Sequence, residues 1–257
     1  MRWWGLVAIV ALAACAPVRS GPPSLPTGAG VTAAWLLDGL AARRSSRTSL
    51  RARARLKAGL AGLWTRQAVL VQRPSEVRMD VMSPFGLVLA LGTQRNQLWA
   101  YSPSEQVRFE GDASPANLAR FLGAPVSVVD LVDILLGLPP ARAASRPPTL
   151  QRAPDARWLL VLPVEGGEQR VWFDQTTLEP RRTEELRNGT VVFAVSFDDY
   201  RNGFPHELDV SAPVVGSSAR LAYDQVETNV PLDGTLFAPP ATPRVLPLPA
   251  TNAATAG

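Results

Sequence analysis

From Leu50 to Ala58 the chain alternates strictly, with Arg51, Arg53, Arg55 and Lys57 on one side and Ala52, Ala54, Leu56 and Ala58 on the other. A period of two is the mark of a strand with one solvated and one buried face. Similar stretches follow at 63–72, 77–82, 87–92, 97–101 and 106–110, with turn residues at Arg73-Pro74, Pro84-Phe85-Gly86, Arg95-Asn96 and Ser102-Pro103. Strands spaced about ten residues apart by short turns predict an antiparallel meander. The period then changes. Ser114-Pro115 and Ser127 carry N-cap chemistry and predict two short helices, to Leu122 and from Val128 to about Leu136, the second closed by Gly137 and Pro139-Pro140. Leu131, Val132, Leu135 and Leu136 make that second helix so apolar that it needs a sheet to cover. An earlier helix, capped by Thr32, is expected over 33–44 with Trp35, Leu36 and Leu40 as its stripe. Strand patterns resume at 157–163, 169–174, 180–186, 190–198, 206–210 and 218–227, with Gly166-Gly167 and Asn188-Gly189 as hairpin turns. The expected class is α+β. One domain, residues 31–237, holds a sheet of about eleven strands curled into an incomplete barrel and covered by two or three short helices.

One hairpin stands apart. Val77, Met79 and Val81 alternate with charged residues, Leu87 to Leu91 is wholly apolar, and Ser83-Pro84-Phe85-Gly86 joins them. Pro presets the second position of a turn and Gly accepts the angles that close it. That leaves Phe85 at the tip. Either the ring folds back onto its own sheet, or it is displayed because something apolar lies opposite it.

The flanks locate the protein. Arg2 precedes an apolar run from Trp3 to Ala14, twelve residues long, which is short for a bilayer span and suited to a signal-peptide core. It ends Leu12-Ala13-Ala14-Cys15, and Cys15 is the only Cys of the chain. This resembles a bacterial lipobox, which implies cleavage after residue 14, acylation of Cys15 and stable anchoring by several acyl chains. Ala16 in the following position implies the outer membrane, facing the periplasm. Residues 16–30 carry four Pro and three Gly and read as a flexible tether; fifteen such residues reach roughly 20 Å. From Pro239 onward the chain is Pro, Ala and Thr, and residues 238–257 are expected to be disordered.

Composition removes several function classes. The chain has 257 residues, 46% of them hydrophobic and 19% charged. With one Cys and one His there is no internal disulfide and no multi-ligand Cys/His metal site. No Gly-x-Ser-x-Gly elbow or phosphate-binding Gly-rich loop occurs. His206 stands alone at a strand start, and the acid pairs Asp198-Asp199 and Glu184-Glu185 sit at strand ends as ordinary solvated charge. No catalytic residue, metal or cofactor is expected. The pI of 9.9 rests on Arg, since Lys57 is the only Lys. The basic stripe of residues 51–57 reads either as a solvated sheet face or as contact with anionic lipid headgroups. An envelope location disfavours nucleic acid.

Together these features resemble the outer-membrane lipoprotein receptor LolB and the wider LolA/LolB carrier and receptor fold, including LolB-like lipoproteins of undefined role. Ser83-Pro84-Phe85-Gly86 resembles the receptor's protruding hairpin, where Leu takes the place of Phe85. Val171-Trp172-Phe173-Asp174 with Leu178-Glu179-Pro180 resembles a strand-turn-strand signature of the carriers. Asn229-Val230-Pro231-Leu232-Asp233 with Leu236-Phe237 resembles the closing segment of the undefined-role group. The Pro/Arg-rich loop at 141–154 departs from the pattern. The resemblance implies an apolar cavity for acyl chains, a membrane-inserting hairpin at Pro84, Phe85 and Gly86, and acylated lipoproteins or other lipids as partners, passed on by a periplasmic LolA-like carrier to a monomeric receptor. The expected cavity lining is Val77, Met79, Val81, Leu89, Leu91, Trp99, Leu135, Trp172, Val191 and Phe193. Burying a sixteen-carbon chain gains on the order of 12 kcal/mol at ~0.8 kcal/mol per methylene, so release requires another apolar phase. The second reading is a lipid- or lipopolysaccharide-sensing or accessory lipoprotein of an envelope complex.

Overall fold

The computed structural model describes residues 30–58, 62–123 and 125–248. Of these, the residues from Thr32 to Leu248 form one compact unit. Helix α1 (Ala33–Ser46) starts where Thr32 Oγ1 accepts from the Trp35 amide at 3.2 Å. Six strands follow: β1 (Ser49–Ala58), β2 (Trp64–Gln72), β3 (Glu76–Ser83), β4 (Gly86–Gln94), β5 (Gln97–Ser102) and β6 (Val107–Asp112). Two helices, α2 (Pro115–Leu122) and α3 (Val128–Leu135), interrupt them. Eight further strands are β7 (Thr149–Arg152), β8 (Trp158–Val164), β9 (Gly167–Phe173), β10 (Pro180–Arg187), β11 (Thr190–Arg201), β12 (Phe204–Ala212), β13 (Ser217–Thr228) and β14 (Arg244–Pro247).

Among the described residues the fourteen strands share one unclosed sheet, in the order β14-β6-β5-β4-β3-β2-β1-β13-β12-β11-β10-β9-β8-β7. Two meanders are thus sutured where β1 pairs with β13, the earliest strand with the last of the second meander. The expected class holds; each of the twelve strand patterns, expected as a sheet of about eleven strands, is a strand, and two additions bring the number to fourteen. One addition, β7, lies in the stretch expected to be a loop and pairs with β8. The other, β14, lies in the expected disordered tail. There Leu248 packs against the core, its amide donates to the Glu110 carbonyl at 2.7 Å, and β14 runs parallel to β6. An edge strand needs few donors, so a Pro-rich segment with Val245 and Leu246 in it can still pair.

Side chains of one face converge on a single core. Leu50, Ala52 and Ala54 of β1 meet Val69 and Val71, Met79, Leu91, Leu98 and Ala100 on one side and Leu221, Leu208, Val195 and Phe197 on the other. Helix α3 fills the space they enclose. Val128, Leu131, Val132, Ile134 and Leu135 are all buried, although the helix is only eight residues long. Ser127 caps its start, with Oγ accepting from the Asp130 amide at 3.1 Å.

In the middle of this apolar helix sits Asp133, 1% exposed. Its carboxylate accepts from Arg44 Nε of α1 at 3.2 Å and from the Ala141 amide at 3.1 Å, and lies 2.8 Å from Nη2 of Arg73 in the β2–β3 turn. Arg47, from the end of α1, donates to the carbonyls of Leu136 and Gly137 at 3.0 and 3.1 Å, answering the helix's open C-terminal end. Arg142 then bridges Asp130 of α3 to Glu185 of β10. Four arginines therefore fix α3 to both meanders.

Removing one partner of a buried ion cluster typically costs about 3 kcal/mol. Asp133→Ala should lower stability by that amount, seen as a fall of about 6–12 °C in Tm for a domain of this size. Asp38→Ala, on the exposed side of α1, should leave Tm within about a degree or two. Thermal unfolding followed by circular dichroism checks both.

Candidate functional site

Beneath α3 lies a wholly apolar cavity of about 60 Å³. Residues Leu131, Ile134 and Leu135 present one helical face to it, and Leu122 and Val126 close it from the α2–α3 connection. The sheet contributes Leu56, Met79, Leu208, Val210, Ala219 and Leu221. At about 30 Å³ per water of liquid volume, the space matches two waters, far less than a long acyl chain. Nearby, the Tyr223 hydroxyl donates to the Leu135 carbonyl at 2.9 Å, and full burial pushes that phenol well above its usual range, so it stays protonated.

The cavity sits toward one end of the sheet. Residue Leu56 is near the end of β1, Val210 near the end of β12 and Ala219 near the start of β13, and the register pairs Ala58 with Ala219 and Ala212 with Ser217. That same end carries the β3–β4 hairpin. There Ser83 Oγ accepts from the Phe85 amide at 3.1 Å and donates to the Gly86 carbonyl at 3.1 Å, while Gly86 takes a φ of +121° that disfavours any side chain. The Phe85 ring is 99% exposed. It does not fold back on its sheet.

Placement of the expected lining is mixed. Met79 and Leu135 reach the cavity. Val77, Leu91 and Phe193 belong to the same core, and Leu89 packs against it. Val81 is half-buried opposite Leu89. Three residues point elsewhere. Trp99 lies between the core residues Leu98 and Ala100 and so faces the opposite side, where its indole donates to the Phe237 carbonyl at 3.0 Å and packs over Gly92. Trp172 alternates with buried Val171 and Phe173, pairs with Leu159 and Arg182, and is likewise on the outer face. Val191 is displaced by a bulge. Leu186 pairs with it while Glu185 pairs with Phe193, so Val192 is the extra residue, and Val192, not Val191, packs on the core. Lining outside the expected set comes from Leu56 of β1, Leu122 of α2, Val126, and further residues of α3, β12 and β13. Its signal was present, since Leu208 and Val210, and Ala219, Leu221 and Tyr223, alternate as plainly as β3 does. Cys15 lies outside the described residues.

No group of three or more His, Cys, Asp or Glu able to hold a metal occurs among the described residues. No helix among them is long and apolar enough to cross a membrane.

No protein-family model matches the chain and no curated protein matches its sequence. Solved structures do match. A LolA superfamily protein from Nitrosomonas europaea aligns over 82% of this chain and 99% of its own, with a TM-score of 0.52 at 17% identity. A domain assigned to outer membrane lipoprotein sorting, from Vibrio parahaemolyticus, covers 80% and 95% with a TM-score of 0.52 at 14% identity. A DUF1329 family protein from Desulfovibrio piger covers 79% and 94% with a TM-score of 0.51 at 15% identity. The chain has the LolA/LolB-like fold.

The two faces of the sheet give a test of the lining. Val210→Phe should fill the cavity, leave stability within about 1 kcal/mol and weaken a small apolar fluorescent probe about tenfold, the loss of two buried methylenes. Trp172→Ala should leave probe affinity unchanged. Fluorescence titration of the two variants against the parent chain checks the pair.

Proposed function

We propose that this protein is a non-enzymatic envelope lipoprotein that binds the acyl chains of lipoproteins or other lipids beneath α3 and delivers them to the membrane holding it. The observation that carries the reading is the conjunction of a hydrocarbon-lined cavity with a rigid, fully exposed Phe85 at the same end of the sheet. Cys15 is the acylated anchor in the outer membrane, followed by the tether of residues 16–30. A cavity of about 60 Å³ means that α3 must yield as the acyl chain enters. At the yielding start of the lid, Val126 and Val128 are buried, each worth ~1.5–3 kcal/mol. Displacing them offsets part of the gain from one sixteen-carbon chain, on the order of 12 kcal/mol. Uptake then needs no nucleotide. The small cavity also favours a second reading, a sensing or accessory subunit with a filled interior that never opens.

A ring already in water contributes almost nothing to folding, so Phe85→Glu should leave Tm unchanged within about a degree or two. In a transfer assay with a fluorescent acylated lipoprotein, the Cys15→Ser chain should take cargo from a carrier and pass it to vesicles. The Phe85→Glu form should take it up but fail to release it. A Tm drop of several degrees with unchanged transfer would return Phe85 to the core. Failure of uptake by both forms would favour the accessory reading.

The anchor has its own check. Cys15→Ser should abolish palmitate labelling and move the protein from the membrane fraction to the soluble periplasm. Full retention in membranes without label would mean that the signal run, not a lipid, holds it.

A further inference from the structure

The exposed apolar side chains of the molecule are not scattered. Among the described residues nine large hydrophobics are exposed, and seven of them lie on three neighbouring strand tips: Leu63 and Trp64, Met82, Phe85 and Val88, and Val214 and Val215. The register brings these tips to one edge. Lys57 pairs with Trp64 at the end of the β1–β2 pair, Ser83 with Gly86 at the end of β3–β4, and Ala212 with Ser217 at the end of β12–β13. In sheet order the six strands are consecutive, β4-β3-β2-β1-β13-β12. Single exposed hydrophobics are ordinary, but a contiguous row on one rim is not.

Beside this row the charge is basic. A depression of about 700 Å³ is bordered by Arg53, Arg55 and Arg66 together with Gln67, Met82 and Ser83. Arg55 pairs with Asp224 at 3.1 Å and lies over the Trp64 ring at 5.6 Å. Arg53, Lys57 and Arg66 have no ion pair among the described residues. Gln67, 3% exposed, gives its amide to Thr65 Oγ1 at 2.8 Å and leaves Oε1 without a hydrogen-bond partner. Gln67 shares the core-facing side of β2 with Val69, so the depression's own contribution is its guanidinium groups, which fit an anionic headgroup. Apolar tips with cations set just behind them match the layering of an anionic bilayer surface, hydrocarbon first and phosphate above it.

We infer that the rim formed by the β1–β2, β3–β4 and β12–β13 tips is a three-point docking edge for an anionic lipid surface, with Leu63, Phe85 and Val214 entering the bilayer and Arg53 and Arg66 holding lipid phosphate. This rests on the membrane-delivery reading and extends it from one aromatic finger to a plane. Three points fix orientation, which one finger cannot do. They also set the cavity, whose walls include Leu56, Val210 and Ala219 from these same strand ends, directly against the membrane.

The test uses the Cys15→Ser chain, which has no other Cys, with single cysteines introduced as Leu63→Cys, Phe85→Cys, Val214→Cys and, at the opposite end of the sheet, Gln97→Cys. Each carries an environment-sensitive fluorophore. Vesicles of phosphatidylethanolamine and phosphatidylglycerol containing nitroxide-labelled lipid should blue-shift and quench the first three labels together and leave the label at position 97 in water. Arg66→Gln should weaken partitioning about fivefold, the effect of one basic residue at an anionic surface, and phosphatidylcholine vesicles should bind far less. Quenching at position 85 alone would overturn the edge while leaving the single-finger reading intact. Quenching at none of the three would overturn both. Equal partitioning onto phosphatidylcholine with no effect of Arg66→Gln would overturn recognition of anionic lipid. Labels that bury without vesicles, as the protein self-associates with concentration, would show that the row is an interface between copies and overturn the membrane assignment.

Discussion

The structure depends on a charged residue placed inside an apolar helix. Without Asp133, α3 would be a greasy eight-residue segment with many equivalent ways to lie in the concavity of the sheet. With it, Arg44, Arg73 and the Ala141 amide admit one depth and one rotation. Charged groups of this kind add little net stability once their desolvation is counted. Their contribution is selective, because every misplaced arrangement of α3 leaves a carboxylate or two arginines without partners. The same contacts tie α1, the β2–β3 turn and the 139–142 segment together, so the two meanders meet through α3 as well as through the β1–β13 suture.

This arrangement holds α3 firmly from Asp130 onward and leaves its start and the approach to it apolar. Arg142 binds Asp130, and Arg44, Arg47 and Arg73 bind the C-terminal half, while Leu122 and Val126 on the approach meet the cavity with hydrocarbon alone. Contacts made only by dispersion and burial can be exchanged for those of an acyl chain at little net cost, whereas ion pairs cannot. The asymmetry places the yielding part of the lid beside the edge that carries Phe85, Leu63 and Val214. Uptake, opening and delivery then share one end of the molecule, and the charged cluster at the far end serves as the fixed point.

Much of the fold was legible because a strand declares itself through alternation and turn chemistry. The β1 stripe of Arg51 to Lys57, the Asn188-Gly189 turn and the Ser-capped starts of α2 and α3 are local signals, and each lies where the structure has it. What escaped was non-local. Thr149–Arg152 and Arg244–Pro247 become strands only because β8 and β6 offer open edges to them. The site was harder still. Period two tells which residues share a face but not which face is inside, so Trp99 and Trp172, expected to point inward as apolar strand residues, lie on the opposite face. One bulge at Val192 was enough to exchange Val191 for its neighbour. The Phe85 tip was legible in sequence only as a ring either displayed or folded back, and its 99% exposure decides between the two.

The central claim is that α3 is a displaceable lid over an acyl-binding interior. Hydrogen exchange of the Cys15→Ser chain with and without a triacylated lipopeptide tests it most directly. The account predicts one lipopeptide per chain, with faster exchange across Leu122 to Val128 and little change from Asp130 to Gly137, where the arginines hold. Stoichiometric binding with exchange altered only at the Phe85 hairpin, and α3 unmoved, would contradict it.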